Sequence, residues 1–463
     1  MKGLAVEKPT RVYKGIIFLV SVCPIHDIAR PESYVENNGS FWRYIVFDSA
    51  FHTASAAKLS GMNQVDTQVH DDPPEVNATF PVVYEATEVV KINTYGVMFV
   101  SHGSSSLLKP LMLAAHQDVV PVQKDTVGDW KHPPFLGRFD GEYVWGRGAS
   151  ECKNLLTAIM EAMVLLRKDN FKPTRTVALA FGFDEEVSGP FGAAQIPRYL
   201  QKRFDKSSMY AVVDEGSTML INPASQRLLA LPGTREKGYR DIEVELITPG
   251  GHSSIPPEHM SIDIMAELER HIESDPFGPL FTPENPTFDF LQCLTTHAGD
   301  GMSWCLHRSI LRYGLDRAAN SNKLTKFLNN ALPESVSLLT NNLIAIESNI
   351  QEVMKRFVSR VNAVACKFDL GLQLNDKTVL AATPNGNFKF RLRPLLVTVW
   401  KTLAGATRHI YEDVVFGNIS QPVIVAPAVM TGNTYTCYCW DLSANIFRYT
   451  PILGDFSSWG IHR

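Results

Sequence analysis

Three runs decide how this chain reads: LMLAAHQDVVPV (residues 111–122), WGRGASECKN (145–154) and LAFGFDEEVSG (179–189). Each couples an apolar, strand-like run to groups that bind a metal or move a proton. Leu111–Ala115 lead to His116 and Asp118. Tyr143–Trp145 lead to Gly146, Gly148 and Glu151, and Thr176–Phe183 lead to Asp184, Glu185 and Glu186. Continuous apolar runs of this length fit buried strands covered on both faces. In open α/β sheets the site lies outside the carboxyl ends of such strands. Three strands that each release acids or a histidine at that edge imply one shared site.

The residue types define the chemistry. His116 and Asp118 are two apart, so an extended chain turns them to the same side. Imidazole is the commonest metal ligand, and a nearby carboxylate can hold its second nitrogen and fix its tautomer. Glu185 and Glu186 are adjacent and can point apart, one toward a metal and the other toward a water as a base. Histidine, aspartate and glutamate are the ligands of hydrolytic zinc, and two close metals are commonly clamped together. Singly, each signal has a plain structural reading: a histidine in a turn, or acids on a solvated face. Their conjunction after three separate strands points to a metal site.

Further segments extend the pattern in order. They are DWKHPPF (129–135), KNLL (153–156), FKPTRTVALAFGFDEEVSG (171–189), VVDEGS (212–217), PGGHSSIPP (249–257), NPTFDFLQCL (285–294), NALPE (330–334) and WDLSANIFRYTP (440–451). With AAHQDVVPV and WGRGAS, they make the chain resemble the co-catalytic zinc peptidases of the fungal carboxypeptidase S (Gly-Xaa carboxypeptidase) type. That family also includes aminoacylase and glutamate carboxypeptidase. The likeness runs over nearly the whole chain from about Phe51.

The resemblance implies an α/β fold: a zinc-peptidase-like catalytic domain with a central mixed sheet flanked by helices. A smaller α+β sandwich lid of the dimerisation type, two helices on a four-stranded sheet, is inserted in it. The implied division is 1–238 and 395–463 for the catalytic domain and 239–394 for the lid. Two zinc ions per chain are expected. His116, Asp214 and a bridging acid hold one; Glu186, the same bridge and His462 hold the other. Asp118 supports His116 from behind. Glu185 is the general base, His252 of the lid stabilises the oxyanion, and Asn330 contacts substrate. His462 stands one residue from the end of the sequence, where fraying is expected.

Departures from the family pattern leave a rival reading open. The bridging acid is an aspartate in the family and Glu151 here, one methylene longer. Where the family has an arginine that helps hold substrate, the register gives Leu343. Where it has Asp and Arg, this chain has Tyr435 and Cys437. The expected activity is release of the C-terminal residue of small Gly-Xaa-type peptides by metal-activated water. The alternatives are an N-acyl amino acid hydrolase and a catalytically impaired homologue that keeps the fold. A peptide-binding module built on the lid has no specific support.

The remaining features set bounds. A length of 463 residues gives a prior of two or three domains. A net charge of −4 gives no reason to expect nucleic acid or an anionic membrane as partner. Seven cysteines lack paired metal spacing, and the odd count does not describe a disulfide framework. The basic residues before Gly15–Cys23 fit a lost or shortened membrane anchor, or a strand of the folded body; the apolar run is too short to span a bilayer. Sequons at Asn38, Asn77 and Asn418 would be usable in a secretory compartment. The expected location is the vacuole lumen or another secretory compartment, as monomer or as homodimer through the lid. Helical spacing in Asn154–Arg167 puts Leu155, Ile159, Met163 and Leu166 on one face. Val89–Val100 predicts a strand pair, and Gln421–Met430 one buried strand.

Overall fold

The structure is a computed structural model. It describes residues 23–68, 80–221, 227–246, 258–274, 285–297, 304, 307, 339–344, 350–368, 397–417, 419–430, 432 and 434–454. His252, Asn330 and His462 lie outside the described residues, as does the Pro-rich stretch before Phe80.

A mixed sheet forms the body. Its strands are β1 (Glu88–Ile92), β2 (Gly96–Ser101), β3 (Leu111–His116), β6 (Val177–Gly182), β7 (Ala211–Ile221), β9 (Gly233–Glu236), β13 (Ala428–Met430) and β14 (Ile446–Leu453), in the spatial order β1-β2-β6-β3-β7-β14-β9-β13. A short ribbon, β4 (Arg138–Phe139) with β5 (Val144–Trp145), stands apart. β8 (Leu228–Ala230) pairs with β7 and with β12 (Ile424–Val425). The centre is parallel: β3 runs alongside β6 from Leu111↔Val177 to His116↔Gly182, and alongside β7 from Leu111↔Ala211 to Leu113↔Val213. β3 and β6 therefore release their last residues at one edge, beside the middle of the longer β7. The expected strand pair around Asn93–Gly96 is β1 with β2, antiparallel from Glu88↔Val100 to Ile92↔Gly96. The stretch 421–430 makes two short strands, β12 and β13, in place of one.

Period-two alternation sorts the apolar residues onto two faces. On one face Met98, Val100, Met112, Ala114, Ala178 and Ala180 pack with Ile196 and Leu200 of a helix, Gln195–Phe204. On the other, Phe99, Ala115, Leu179 and Phe181 pack with Leu156, Met160 and Met163 of a second helix, Lys153–Lys168. Most of these side chains are fully buried. Burying a side chain of this size is worth about 1.5–3 kcal/mol, so the two helix layers fix the sheet. The buried stripe of the second helix is Lys153, Leu156, Thr157, Met160, Glu161 and Met163. Leu155, Ile159 and Leu166 pack only partly buried at its flank. The expected face is thus rotated toward a stripe that includes polar residues. Glu161 can sit there because Ser55 and Lys58 of the helix Ser49–Asn63 donate to its carboxylate.

A separate two-stranded sheet joins β10 (Gly238–Glu243) to β11 (Leu339–Ile344), antiparallel. Ile242, Val244 and Leu246 pack there against Ile264 and Leu268 of the helix Ser261–Glu273, and against Phe357, Val361 and Val364 of the helix Ile350–Lys367. Among the described residues, two helices thus pack on a two-stranded sheet. The helix Pro286–His297 falls within the same span but packs on the main body. Its Phe290, Cys293 and Leu294 join Leu229, Ile424 and Ala426 in one apolar cluster. A disulfide, Cys23–Cys293, ties this helix to the first described residue. The odd count of cysteines gave no disulfide framework, and this one bond was not anticipated.

Candidate metal centre

The site forms where β3 and β6 end and where β7, still continuing, leaves its pairing with β3. His116, the last residue of β3, is fully buried. Its Nδ1 lies 2.9 Å from the backbone carbonyl of Asp118 and 3.3 Å from that residue's Oδ1. A donor on Nδ1 leaves Nε2 as the lone-pair nitrogen. Nε2 is buried and has no hydrogen-bond partner among the described residues. Carboxylates surround it instead: Glu215 Oε2 at 3.3 Å, Glu151 Oε1 at 3.8 Å and Glu185 Oε2 at 4.0 Å. Glu186 joins His116 and Glu185 within 4.8 Å, and Cys152 joins His116 and Glu215 within the same span.

Local structure explains how these groups arrive. Asp118 Oδ2 accepts from the backbone N–H of Glu186 at 3.0 Å, fastening the turn after β6 to the turn after β3. Asp184 receives the N–H groups of Phe191, Gly192 and Ala193 at 2.6–3.0 Å, which closes the loop behind the glutamates. Gly148 has φ +91, and a Cβ there would meet Val119 Cγ1 at 2.8 Å. Only glycine lets the chain pass this close on its way to Glu151. Lys153 is buried and donates to the carbonyls of Met62 and Val65. Burial lowers its pKa to about 8, against the pull of Asp66 and Asp118.

So many acids in one dry place repel one another. Burial first, then the charge of Glu215, pushes the Glu185 carboxyl far above the ordinary range. Burial and neighbouring acids raise Glu186 to about 8. Burial alone would lower His116, but Glu215, Cys152 and Asp118 raise it well above its usual value. An imidazole nitrogen without a partner and a ring of carboxylates match the donor set of hydrolytic zinc. A divalent cation would relieve the repulsion, so the residues fit such an ion.

Of the expected site residues, His116, Asp118, Glu151, Glu185 and Glu186 are brought together. Asp214 is not in the cluster. It is buried beside Arg448, its cross-strand partner, with both carboxylate oxygens lacking hydrogen-bond partners among the described residues. Burial and then Glu215 raise it to about 8. Glu215, which the sequence reading passed over, stands in the place expected of Asp214. The physical reason is that β3 pairs with β7 only as far as Leu113↔Val213, so the contact with His116 is made at the strand edge. Cys152 was likewise missed. Tyr435, where the resemblance has an aspartate, is a buried brace: its hydroxyl donates to the carbonyls of Ala115 at 3.0 Å and Ala180 at 3.4 Å. Arg147, 7% exposed, lies 5.0 Å from the Trp130 ring, and Glu186 and Glu151 are the acids that act on it.

Comparison with known proteins agrees with this geometry. Residues 112–434 match the profile of Peptidase family M20/M25/M40. The chain is 34% identical over 462 residues to carboxypeptidase S of Saccharomyces cerevisiae, covering 89% of this chain and 80% of that protein. It is 28% identical over 448 residues to the N-fatty-acyl-amino acid synthase/hydrolase PM20D1 of Bos taurus, covering 89% and 84%. Among solved structures, an M20 family metallo-carboxypeptidase from Sulfolobus solfataricus shares the fold with a TM-score of 0.52 at 15% identity, over 85% of this chain and 90% of that one. The chain belongs to Peptidase family M20/M25/M40.

Proposed function

We propose that this chain is a zinc-dependent metallocarboxypeptidase that hydrolyses the C-terminal peptide bond of small peptides of the Gly-Xaa type. The observation that carries the reading is the buried, partnerless Nε2 of His116 facing Glu215, Glu151 and Glu185 where the parallel strands β3 and β6 end beside β7. The reading takes two ions per chain. His116, Glu215 and Glu151 would hold one; Glu186, with Glu151 and His462, would hold the other. Bound there, the ions would supply Lewis-acid polarisation of the scissile carbonyl and ease the ionisation of water.

The rest falls to the protein. Glu185 is half-buried and its carboxyl is held well above the ordinary range, so its carboxylate can take a proton from the attacking water and deliver it to the leaving amine nitrogen. The Asp118 carbonyl and carboxylate orient His116, and Asp118 also holds the Glu186 backbone. Arg147 supplies a positive charge near Glu151 and Glu186. Glu151 reaches to within 3.8 Å of His116 Nε2, which supports an enzyme over an impaired homologue. The Cys23–Cys293 bond favours an oxidising compartment, such as a vacuolar or other secretory lumen. Among the described residues no helix is long and apolar enough to cross a membrane.

The test is zinc content and hydrolysis of Gly-Leu against Gly-Leu-amide, with and without chelator. Chelator-sensitive cleavage of the free acid alone is expected. Cleavage of neither, with zinc bound, would move the assignment to an impaired homologue, and Glu151→Asp would then ask whether the longer acid is the defect. The second reading, an N-acyl amino acid hydrolase, is favoured by the likeness to PM20D1. Faster release of leucine from an N-fatty-acyl-leucine than from Gly-Leu would select it.

A further inference from the structure

We propose that Cys152 is a metal ligand, its thiol completing a buried sulfur–nitrogen–oxygen pocket with His116 and Glu215 that selects a thiophilic ion. The inference rests on the metallopeptidase reading above. The sulfur of Cys152, a ring nitrogen of His116 and a carboxylate oxygen of Glu215 all lie within 4.8 Å of one another. The three residues are 1%, 0% and 6% exposed. His116 Nε2 is buried without a hydrogen-bond partner among the described residues and stands 3.3 Å from Glu215 Oε2. That nitrogen is an independent sign that a ligand belongs here.

Packing alone does not account for the thiol. One side of Cys152 joins the apolar cluster with Ala115 and Leu156, as any small apolar residue could. Its other side faces an imidazole and a carboxylate, and the sulfur also meets the backbone of His116. Zinc takes sulfur at about 2.3 Å and nitrogen or carboxylate oxygen at about 2.0–2.2 Å, and donors around one ion at those lengths fall within the spacing found. On binding, the thiol proton passes to solvent and the thiolate takes its place at the ion. Sulfur in the set disfavours magnesium, calcium and manganese, which prefer oxygen donors alone, and favours zinc.

X-ray absorption at the zinc edge of the zinc-loaded full chain tests this without measuring activity. The chain would carry Cys305→Ser, Cys366→Ser, Cys437→Ser and Cys439→Ser, so that Cys152 is the only free thiol. A sulfur shell at about 2.3 Å beside nitrogen and oxygen is expected. The cobalt-loaded form should show a near-ultraviolet thiolate-to-cobalt band that Cys152→Ser abolishes. Zinc bound by nitrogen and oxygen alone overturns the inference and leaves the proposed function standing. A chain that binds no zinc overturns both. If the multiple variant does not fold, the wild-type zinc shell decides: no sulfur there sinks the idea, and sulfur lost on Cys152→Ser alone sustains it.

Discussion

Glu215 Oε2 lies 3.3 Å from His116 Nε2, while Asp214, one residue earlier on the same strand, sits across from Arg448 and makes no part of the cluster. Two adjacent acids thus have separate tasks. Glu215→Gln should weaken zinc binding by more than about 100-fold, the upper range for loss of a supporting contact. Asp214→Asn should bind zinc nearly as the wild type does, because that carboxyl stands across from Arg448 and outside the cluster around His116. Competition of each variant with a zinc-sensitive dye separates the two. Equal losses would return Asp214 to the ligand set.

Glu185 is placed to move a proton without holding the ion as its main task. Glu185→Gln keeps the shape and removes the base. Zinc content should remain that of the wild type while kcat for Gly-Leu falls about 10²–10⁴-fold, the usual contribution of a positioned acid–base group. A fall in zinc content of the same size as the fall in rate would make Glu185 a ligand.

Much of this site was legible because sheet chemistry and ligand chemistry coincide in the sequence. The runs ending at His116 and Glu185 read as strands, and parallel pairing through His116↔Gly182 brings their ends together. Glu215 was not legible. Counting faces by period two from Leu113↔Val213 puts Asp214 on the face of His116, and the count fails where the pairing stops. Cys152 was hidden for another reason: a thiol beside a strong acid motif reads as packing. The helix Pro286–His297 lay within a span expected to be lid, and nothing local in NPTFDFLQCL tells that Cys293 meets Cys23, 270 residues away.

The edge of the sheet carries a pH-dependent tie. Arg203 donates to both carboxylate oxygens of Glu88 at 2.6 and 2.7 Å, and His102 Nε2 lies 2.7 Å from Oε2. The Arg203 bonds, against a smaller cost of burial and with help from His102, lower Glu88 to about 2. A lowered carboxyl stabilises the fold above its unfolded value near 4.5, and that contribution is lost as pH falls toward about 2. Both partners are partly exposed, so the tie is worth less than about 1 kcal/mol. Urea midpoints should show Glu88→Gln below wild type at pH 7, with the gap narrowing from pH 5 to pH 3. A gap that widens on acidification would contradict the assignment.

The Cys23–Cys293 bond closes a loop of 270 residues and anchors a helix to β8 and β12 through the cluster of Leu229, Ile424 and Ala426. Reduction, or Cys293→Ala, should lower stability by about 2–5 kcal/mol, the common cost of losing a native disulfide. Zinc binding at His116 should be kept, because neither cysteine nor its apolar cluster includes a residue that builds the site. Denaturant melts with and without dithiothreitol check the first part and zinc titration the second.

Tyr435 decides whether the family's lost charge could simply be put back. Its hydroxyl donates to Ala115 and Ala180 carbonyls, and the residue is 2% exposed. Tyr435→Phe removes one shared hydrogen bond and should cost about 0.5–1.5 kcal/mol. Tyr435→Asp should cost about 3–5 kcal/mol for the truncated aromatic alone, before a carboxyl is buried against two carbonyl oxygens and near Asp214. Restoring the aspartate should therefore unfold the strand end that presents His116, not improve catalysis. Thermal melts and Gly-Leu rates of both variants test this. A Tyr435→Asp chain that is stable and faster than wild type would show that the tyrosine is a defect and not a brace.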